Sequence, residues 1–378
     1  MVDLSIVACG SYDRSELKKA LAEVIEPVGG LVFIKPGQTV AIKANLVSPK
    51  NPDAAATTHP ELLAALCELV AEAGGCPIVG DSPGGAFSRA AMAHTYSVCG
   101  LSVIESAGGR LNNDFSRVTI NVGGVDYSYT GWLQQADHII DCCKLKTHGM
   151  VGLSAAVKNM FGAVPGTIKP EYHYRFPKQE DFSRMLLDLC EYSNPKLSII
   201  DAVVGMEGNG PNNGKPRFVG ALIAATKPYY ADLAAAAIIP FRAVPPTITE
   251  AIRLGLCPAD YSSLRCSGDP AKFAVPDYVT VDCSGTDFSG IHPRFVGKLA
   301  SAVFVQRPTL QPELCVGCKK CRDVCPAGAI EMKNGRPHID RKCCIRCFCC
   351  QEFCPKGALE VHRTWVARMI NPRRRPQS

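Results

Sequence analysis

CVGCKKCRDVCPAGAIEM, residues 315–332, and CIRCFCCQEFCPKGALEV, residues 344–361, are one pattern written twice. Each copy runs Cys-x2-Cys-x2-Cys-x3-Cys-Pro: Cys315, Cys318, Cys321 and Cys325 before Pro326, then Cys344, Cys347, Cys350 and Cys354 before Pro355. The trailing Gly, Ala and Glu recur as well, which marks an internal repeat and not a chance run of cysteines. Three thiolates at this spacing let a short loop wrap one iron–sulfur cubane and occupy three iron corners. Three residues on, the chain has turned into a helix and points its next thiolate toward the neighbouring cube. The pattern assigns Cys315, Cys318, Cys321 and Cys354 to one [4Fe–4S] cluster, and Cys344, Cys347, Cys350 and Cys325 to a second. The competing reading, structural zinc, normally takes two separated pairs of cysteines; tandem four-cysteine runs of soft thiolates favour iron–sulfur. Cys343 and Cys349 are surplus to the pattern and are expected to pack beside the clusters as small apolar side chains.

The rest of the composition is that of a globular chain. At 378 residues, 47% hydrophobic and 20% charged, it is long enough for two or three units. The net charge of +6 owes much to a C-terminal stretch carrying Arg363, Arg368, Arg373, Arg374 and Arg375 without an acid. No aromatic side chains interleave these arginines and no nucleic-acid motif accompanies them, so residues 363–378 read as a solvated basic tail. The N-terminal residues lack the basic and apolar blocks of a signal peptide, and no run approaches the length of a membrane span. Thiolate ligands without an export signal imply a reducing cytoplasm, and exposed clusters an anaerobic host. No nucleic-acid or membrane partner is expected.

Residues 1–304 read as an α/β domain: short apolar runs alternate with amphipathic helical patterns, the signature of a mostly parallel sheet flanked by helices. Strands are expected at 4–8, 40–43, 77–80, 138–142, 197–202 and 221–225. Helices are expected at 15–25, 60–73, 154–161, 182–192 and 229–239, with a hairpin over 116–128 around Gly123-Gly124. Residues 305–362 form the small α+β cluster domain.

Five polar groups fall at strand ends, where open α/β sheets hold their ligands. They are Lys43 with Asn45; Thr57-Thr58-His59-Pro60; Gly80-Asp81-Ser82-Pro83-Gly84-Gly85; Lys144-Leu145-Lys146-Thr147-His148 with Lys158-Asn159; and Asp201 with the Gly205–Pro211 run that contains Glu207 and Asn209. Gly80–Gly84 matches the G-x-S-x-G nucleophile elbow. The residue after that serine must lend its backbone N–H to the oxyanion, and here it is Pro83, which has none. A serine hydrolase is therefore disfavoured. No Walker A, G-x-G-x-x-G or HExxH run is present, which argues against P-loop hydrolysis, a standard Rossmann cofactor and a zincin. The adjacent Cys142 and Cys143 read as packing residues of a buried strand.

VAIKANLV, TTHPELL, GDSPGG, KLKTHGMVGLSAAVKNMFGAVPG and DAVVGMEGNGP together resemble the family called domain of unknown function 362, which is frequently fused to a bacterial-type 2[4Fe–4S] ferredoxin domain. The resemblance covers roughly residues 1–300, and the ferredoxin match residues 312–362. It implies an iron–sulfur protein acting in ferredoxin-linked reduction. By matching position, the pocket residues it implies are Lys43, Asn45, His59, Asp81, Lys146, His148, Lys158, Asn159, Asp201, Glu207 and Asn209.

These readings converge on an iron–sulfur oxidoreductase. Two [4Fe–4S] clusters would relay electrons from an external donor (a ferredoxin, flavodoxin or reductase) to a small anionic molecule in the α/β domain. Lys43, Asn45, His59, Asp81, Lys158, Asn159 and Asn209 would bind that molecule. His148 would donate a proton, with Lys146, Asp201 and Glu207 as its catalytic companions. The alternative is a non-catalytic electron carrier or maturation factor whose α/β domain docks a redox partner.

Overall fold

The computed structural model describes residues 1–281 and 306–362. The expected domain boundary at 304/305 and the basic tail lie outside the described residues. In chain order the strands are β1 (Leu4–Ala8), β2 (Thr39–Ala44), β3 (Cys76–Gly80), β4 (Arg110–Leu111), β5 (Arg117–Val122), β6 (Val125–Thr130), β7 (His138–His148), β8 (Gly152–Ser154), β9 (Leu197–Glu207), β10 (Lys215–Ala225), β11 (Cys266–Ser267), β12 (Arg307–Leu310), β13 (Ile330–Lys333), β14 (Arg336–Ile339) and β15 (Leu359–His362).

The main sheet runs β11-β1-β10-β9-β7-β2-β3-β4, with β8 folded back on β7. Strands β4, β3, β2, β7 and β9 are mutually parallel. Strand β10 is antiparallel to both its neighbours, because the short connection 208–214 from β9 leaves no room for a crossover. The sheet is thus mixed, but parallel where β2, β3 and β7 bring their C-terminal ends together.

Helices cover both faces. The apolar sides of Arg14–Ile25 and Pro60–Glu72 pack with Ile42, Ile140, Cys142 and Ile199. Gln179–Ser193 and Pro228–Ile238 pack on the other side with Cys143, Leu145, Ile200 and Ile223. Alternation along β7 sends Cys142 and Cys143 into opposite layers, and both are fully buried. The β2–β3 crossover covers one face and the β7–β9 crossover the other. The gap between β2 and β7 is therefore a switch point, where a crevice opens beyond the strand ends.

Several local predictions change, among them the strand expected at 221–225, which begins six residues earlier as β10. The helix expected over 154–161 is shorter: Ser154 belongs to β8, and the helix is Ala156–Asn159, followed by a 3-10 turn at Met160–Ala163. The buried Asp232 carboxylate accepts the Ala156 N–H at 2.7 Å and fixes where that helix starts. Strands β7 and β9 each run several residues past their predicted ends, which carries their polar residues out to the sheet edge. The β5–β6 hairpin forms as expected, with Gly123 and Gly124 at φ 59° and 84°.

The C-terminal domain is built from two antiparallel pairs, β12–β15 and β13–β14, and the short helices Lys320–Asp323 and Cys349–Glu352. It sits on the C-terminal ends of the large sheet. Gln351 Nε2 donates to Asn209 Oδ1 at 2.7 Å and to the Gly210 carbonyl at 3.0 Å. Asn212 and Asn213 donate to the carbonyls of Glu352 and Cys354 at 3.0 and 3.1 Å. Gly84 is packed so closely against the Phe353 ring that any Cβ there would collide with it.

Candidate functional site

Beyond the ends of β2, β3 and β7 lies a small cavity, walled by Asn45, Asp81, Lys146, His148, Lys158, Asn159, Phe161 and Lys169 from the α/β domain and by Glu352 from the C-terminal domain. Its floor is a hydrogen-bond lattice. Asn159 Oδ1 accepts from Lys43 Nζ at 3.1 Å and from Asn45 Nδ2 at 3.0 Å, while its Nδ2 donates to Asp141 Oδ1 at 2.7 Å and to the Lys43 carbonyl at 3.1 Å. All four hydrogen-bonding positions of that amide are filled. Lys43 also pairs with Asp81 at 2.7 Å, both side chains being buried. Asp81 in turn accepts the N–H groups of Leu46 and Ser82, each at 2.7 Å. These residues hold one another, and they position what stands above them.

Above the floor are three more lysines. Lys146 Nζ donates to Asn45 Oδ1 at 2.5 Å and to the Ala56 carbonyl at 2.7 Å, leaving one N–H for the cavity. Lys169 donates to the Ser82 carbonyl. Lys158 lies 4.6 Å from the centre of the Phe161 ring, and Lys169 lies 5.5 Å from the same ring. Among the described residues none of these three lysines is ion-paired to a carboxylate. Burial, against the opposing pull of the Glu352 and Asp81 carboxylates, pushes Lys146 and Lys169 down to about 7 and lowers Lys158 as well.

His148 completes the wall. Its Nδ1 accepts the Met150 N–H at 3.1 Å, so the proton of the neutral ring sits on Nε2, which faces Glu352 Oε2 at 3.9 Å. Burial and nearby lysines hold the ring well below its ordinary pKa. It is therefore a neutral hydrogen-bond donor and not the imidazolium that an unperturbed histidine would supply near neutral pH. The partly neutralised lysines are better placed to give up a proton.

Four expected site residues stand elsewhere. Asp201 accepts from Lys144 Nζ at 2.9 Å, from the Tyr12 hydroxyl at 2.8 Å and from the His59 N–H at 3.0 Å, so it closes a buried pair and does not orient His148. His59 caps the helix at Pro60, stacks on Tyr12 with ring centres 3.7 Å apart, and is driven down to about 4 by burial. Glu207 Oε2 accepts the Val279 N–H at 2.9 Å. Asn209 is a docking residue for Gln351. Lys169 was missed by sequence reasoning: it lies outside every recognisable block, and nothing in its spacing sets it apart from a solvated lysine.

The cysteine residues present a second, smaller cavity. Cys315, Cys318 and Cys321 from the first run and Cys354 from the second line it together, with Leu310, Leu314, Val316 and Met332 around them. The remaining set gathers likewise, with Cys325 close enough to act electrostatically on Cys344 and Cys350. The repeat holds in three dimensions. Ala329 N–H points at Cys325 Sγ at 3.3 Å, and the equivalent Ala358 N–H at Cys354 Sγ at 3.2 Å. Both ligand loops bend through left-handed residues, Gly317 and Lys319 in one, Arg346 and Phe348 in the other. Three of those four carry a Cβ, a conformation that costs of order 1 kcal/mol or more and persists where the surroundings demand it. A loop that must curl its thiols inward around a cube is such a place, so the donor set and its shape fit an iron–sulfur cubane. Of the surplus cysteines, Cys349 is buried against Cys347, whereas Cys343 is exposed and lies 3.4 Å from Asp340, so it does not pack as expected.

The family model described as "Domain of unknown function (DUF362)" matches residues 40–237, more than half of the chain. The chain belongs to the DUF362 family. A "4Fe-4S binding domain" model matches residues 308–331 of this DUF362 protein, which covers the first cysteine run. Across 266 residues the DUF362 chain is 34% identical to the "Thylakoid-associated protein sll1697" of Synechocystis sp., covering 68% of this chain and 80% of that one. Among solved structures it is similar to the lactate racemase apoprotein from Thermoanaerobacterium thermosaccharolyticum, at 12% identity and a TM-score of 0.39. That likeness covers 62% of this chain and 56% of the racemase, and is too slight to bear on function. Among the described residues no helix is long and apolar enough to cross a membrane.

Proposed function

We propose that this protein is an iron–sulfur oxidoreductase that reduces a small anionic molecule held between its two domains. The ferredoxin-type domain makes it an electron-transfer protein; the cavity supplies the substrate site. The observation that carries the reading is the wall of two buried lysines, Lys146 and Lys158, with the half-buried Lys169 beside them, none of them ion-paired among the described residues. Cations held away from water without an ion-pair partner, with only the more distant charges of Glu352 and Asp81 to balance them, are costly, and a bound anion offsets that cost.

When bound, the two [4Fe–4S] clusters supply single electrons at the cavity's edge. The chain's own side chains do the rest. Lys158 and Lys169 hold the anion against the Phe161 ring. Lys146, steered by Asn45, presents its third N–H and, near neutrality, holds a transferable proton. His148 Nε2–H donates a hydrogen bond to the same ligand, and Glu352 closes the wall and limits access by water. The eight cysteines Cys315, Cys318, Cys321, Cys354, Cys344, Cys347, Cys350 and Cys325 hold the clusters in the crossed arrangement. A reducing cytoplasm suits such ligands.

The test is anaerobic purification with mass spectrometry of released small molecules, followed by calorimetric titration with the compound found. An anion should be recovered, and Lys158→Met should weaken its binding about tenfold or more. A cavity that releases no anion, or an affinity for the recovered anion unchanged in the variant, would contradict the reading in favour of a non-catalytic carrier. Iron analysis should give about eight irons per chain, and zinc in their place would remove the redox premise.

A further inference from the structure

The two cysteine sets differ in what surrounds them. The helix Cys349–Glu352 and Phe348 are pressed into the large domain: Phe348 joins its core, Gly149 lies against Phe348 and Gln351, and Cys349 is near enough to Lys158 to influence it. The loop of the first set faces outward. Cys318 is exposed, as are Leu314, Val316, Lys319 and Lys320, with Val316 62% and Leu314 45% accessible. Here two apolar side chains stand side by side next to an exposed ligand thiol.

The charge around this patch is mostly positive. Lys319 and Lys356 line the first cysteine cavity, which has no carboxylate in its wall. Lys320 is adjacent, and Lys50 lies close enough to Lys356 to feel its charge. Within residues 312–322 the single acid is Glu313, and the next, Asp323, is already engaged by Arg322 at 2.7 Å. A small apolar centre with a basic rim, set over an exposed ligand loop, has the make-up of a transient electron-transfer interface.

We infer that the face formed by Leu314, Val316, Cys318, Lys319 and Lys320 docks an acidic redox protein of the reduced ferredoxin or flavodoxin type. The outer cluster is the electron port, and the inner one is the relay toward the cavity. At each encounter the reduced partner loses one electron and this chain gains one; no bond forms or breaks, and no proton needs to move. The face owes nothing to the lysine-walled cavity, so either reading can fail without the other.

The experiment mixes anaerobic, cluster-loaded protein with reduced flavodoxin in a stopped-flow instrument and follows bleaching of the cluster absorption. In the wild type the second-order rate should fall steeply with added salt. The double variant Lys319→Glu/Lys320→Glu should react about tenfold more slowly at low salt, converging with wild type at high salt, while its iron content and cluster EPR stay unchanged. Lys196→Glu, exposed just before β9 at the opposite, N-terminal end of the parallel strands, serves as the control and should react like wild type. Should the double reversal impair cluster loading, the neutral pair Lys319→Gln/Lys320→Gln should still show a smaller, salt-dependent slowing. Equal rates in wild type and the loaded variants, or an equal loss in Lys196→Glu, would overturn the assignment.

Discussion

Two buried lysines, Lys144 and Lys158, invite comparison because burial alone does not separate them. Lys144 is fixed from two sides, by Asp201 at 2.9 Å and the Tyr12 hydroxyl at 2.7 Å. Lys158 has an aromatic ring for company and no carboxylate in ion-pair reach among the described residues. The first is a closed structural account, with charge and hydrogen bonds satisfied inside the fold. The second is open and is completed only by something that arrives. A buried charge thus points to a ligand when its partner is missing, not because it is buried.

Replacement by an apolar side chain of similar length tests the distinction most sharply. Lys144→Met strands the Asp201 carboxylate in the interior and should cost about 3–5 kcal/mol in chemical denaturation. Lys158→Met removes a charge that has no ion-pair partner among the described residues and should leave stability within about 1 kcal/mol of wild type, or raise it. Similar large losses at both positions would erase the contrast.

Proton linkage sharpens it further. Lys146 and Lys169 sit at about 7 in the folded chain, against roughly 10.4 when unfolded. Between those values the unfolded chain binds more protons, so the ligand-free protein should gain stability as pH rises from 7 to about 10 and level off below 7. Urea melts across that range should show the rise, and Lys146→Met/Lys169→Met should flatten it. Affinity for the anion should move oppositely, weakening as pH climbs through 7 and the lysines lose charge.

The smallest effect concerns the joint between the domains. Gln351→Ala removes the donor shared by Asn209 and Gly210 and should cost about 1 kcal/mol, read as earlier melting of the C-terminal domain. It should leave the Lys144 pair untouched.

How much of this could be read from residues alone depended on how local the signal was. Thiolate spacing is set within a dozen residues, so the ligand runs were legible, and so was the sheet, whose strands are short apolar runs. Lys43, Asn45, Asp81, Lys146, His148, Lys158 and Asn159 were legible as a group because parallel strand ends must meet. Their division of labour was not, since it depends on who pairs with whom across the sheet. Asp201 occupies an apparently equivalent strand end, yet β9 places it opposite Lys144 in register, and the pair forms there. Lys169 reaches the cavity from a separate helix, which no linear pattern announces.

One wall of the cavity, Glu352, is contributed by the iron–sulfur domain. The α/β domain produced by itself is therefore a bowl without a rim, open to solvent where chemistry would need shelter. A different ferredoxin grafted onto it would leave that wall open unless it placed a side chain where Glu352 stands.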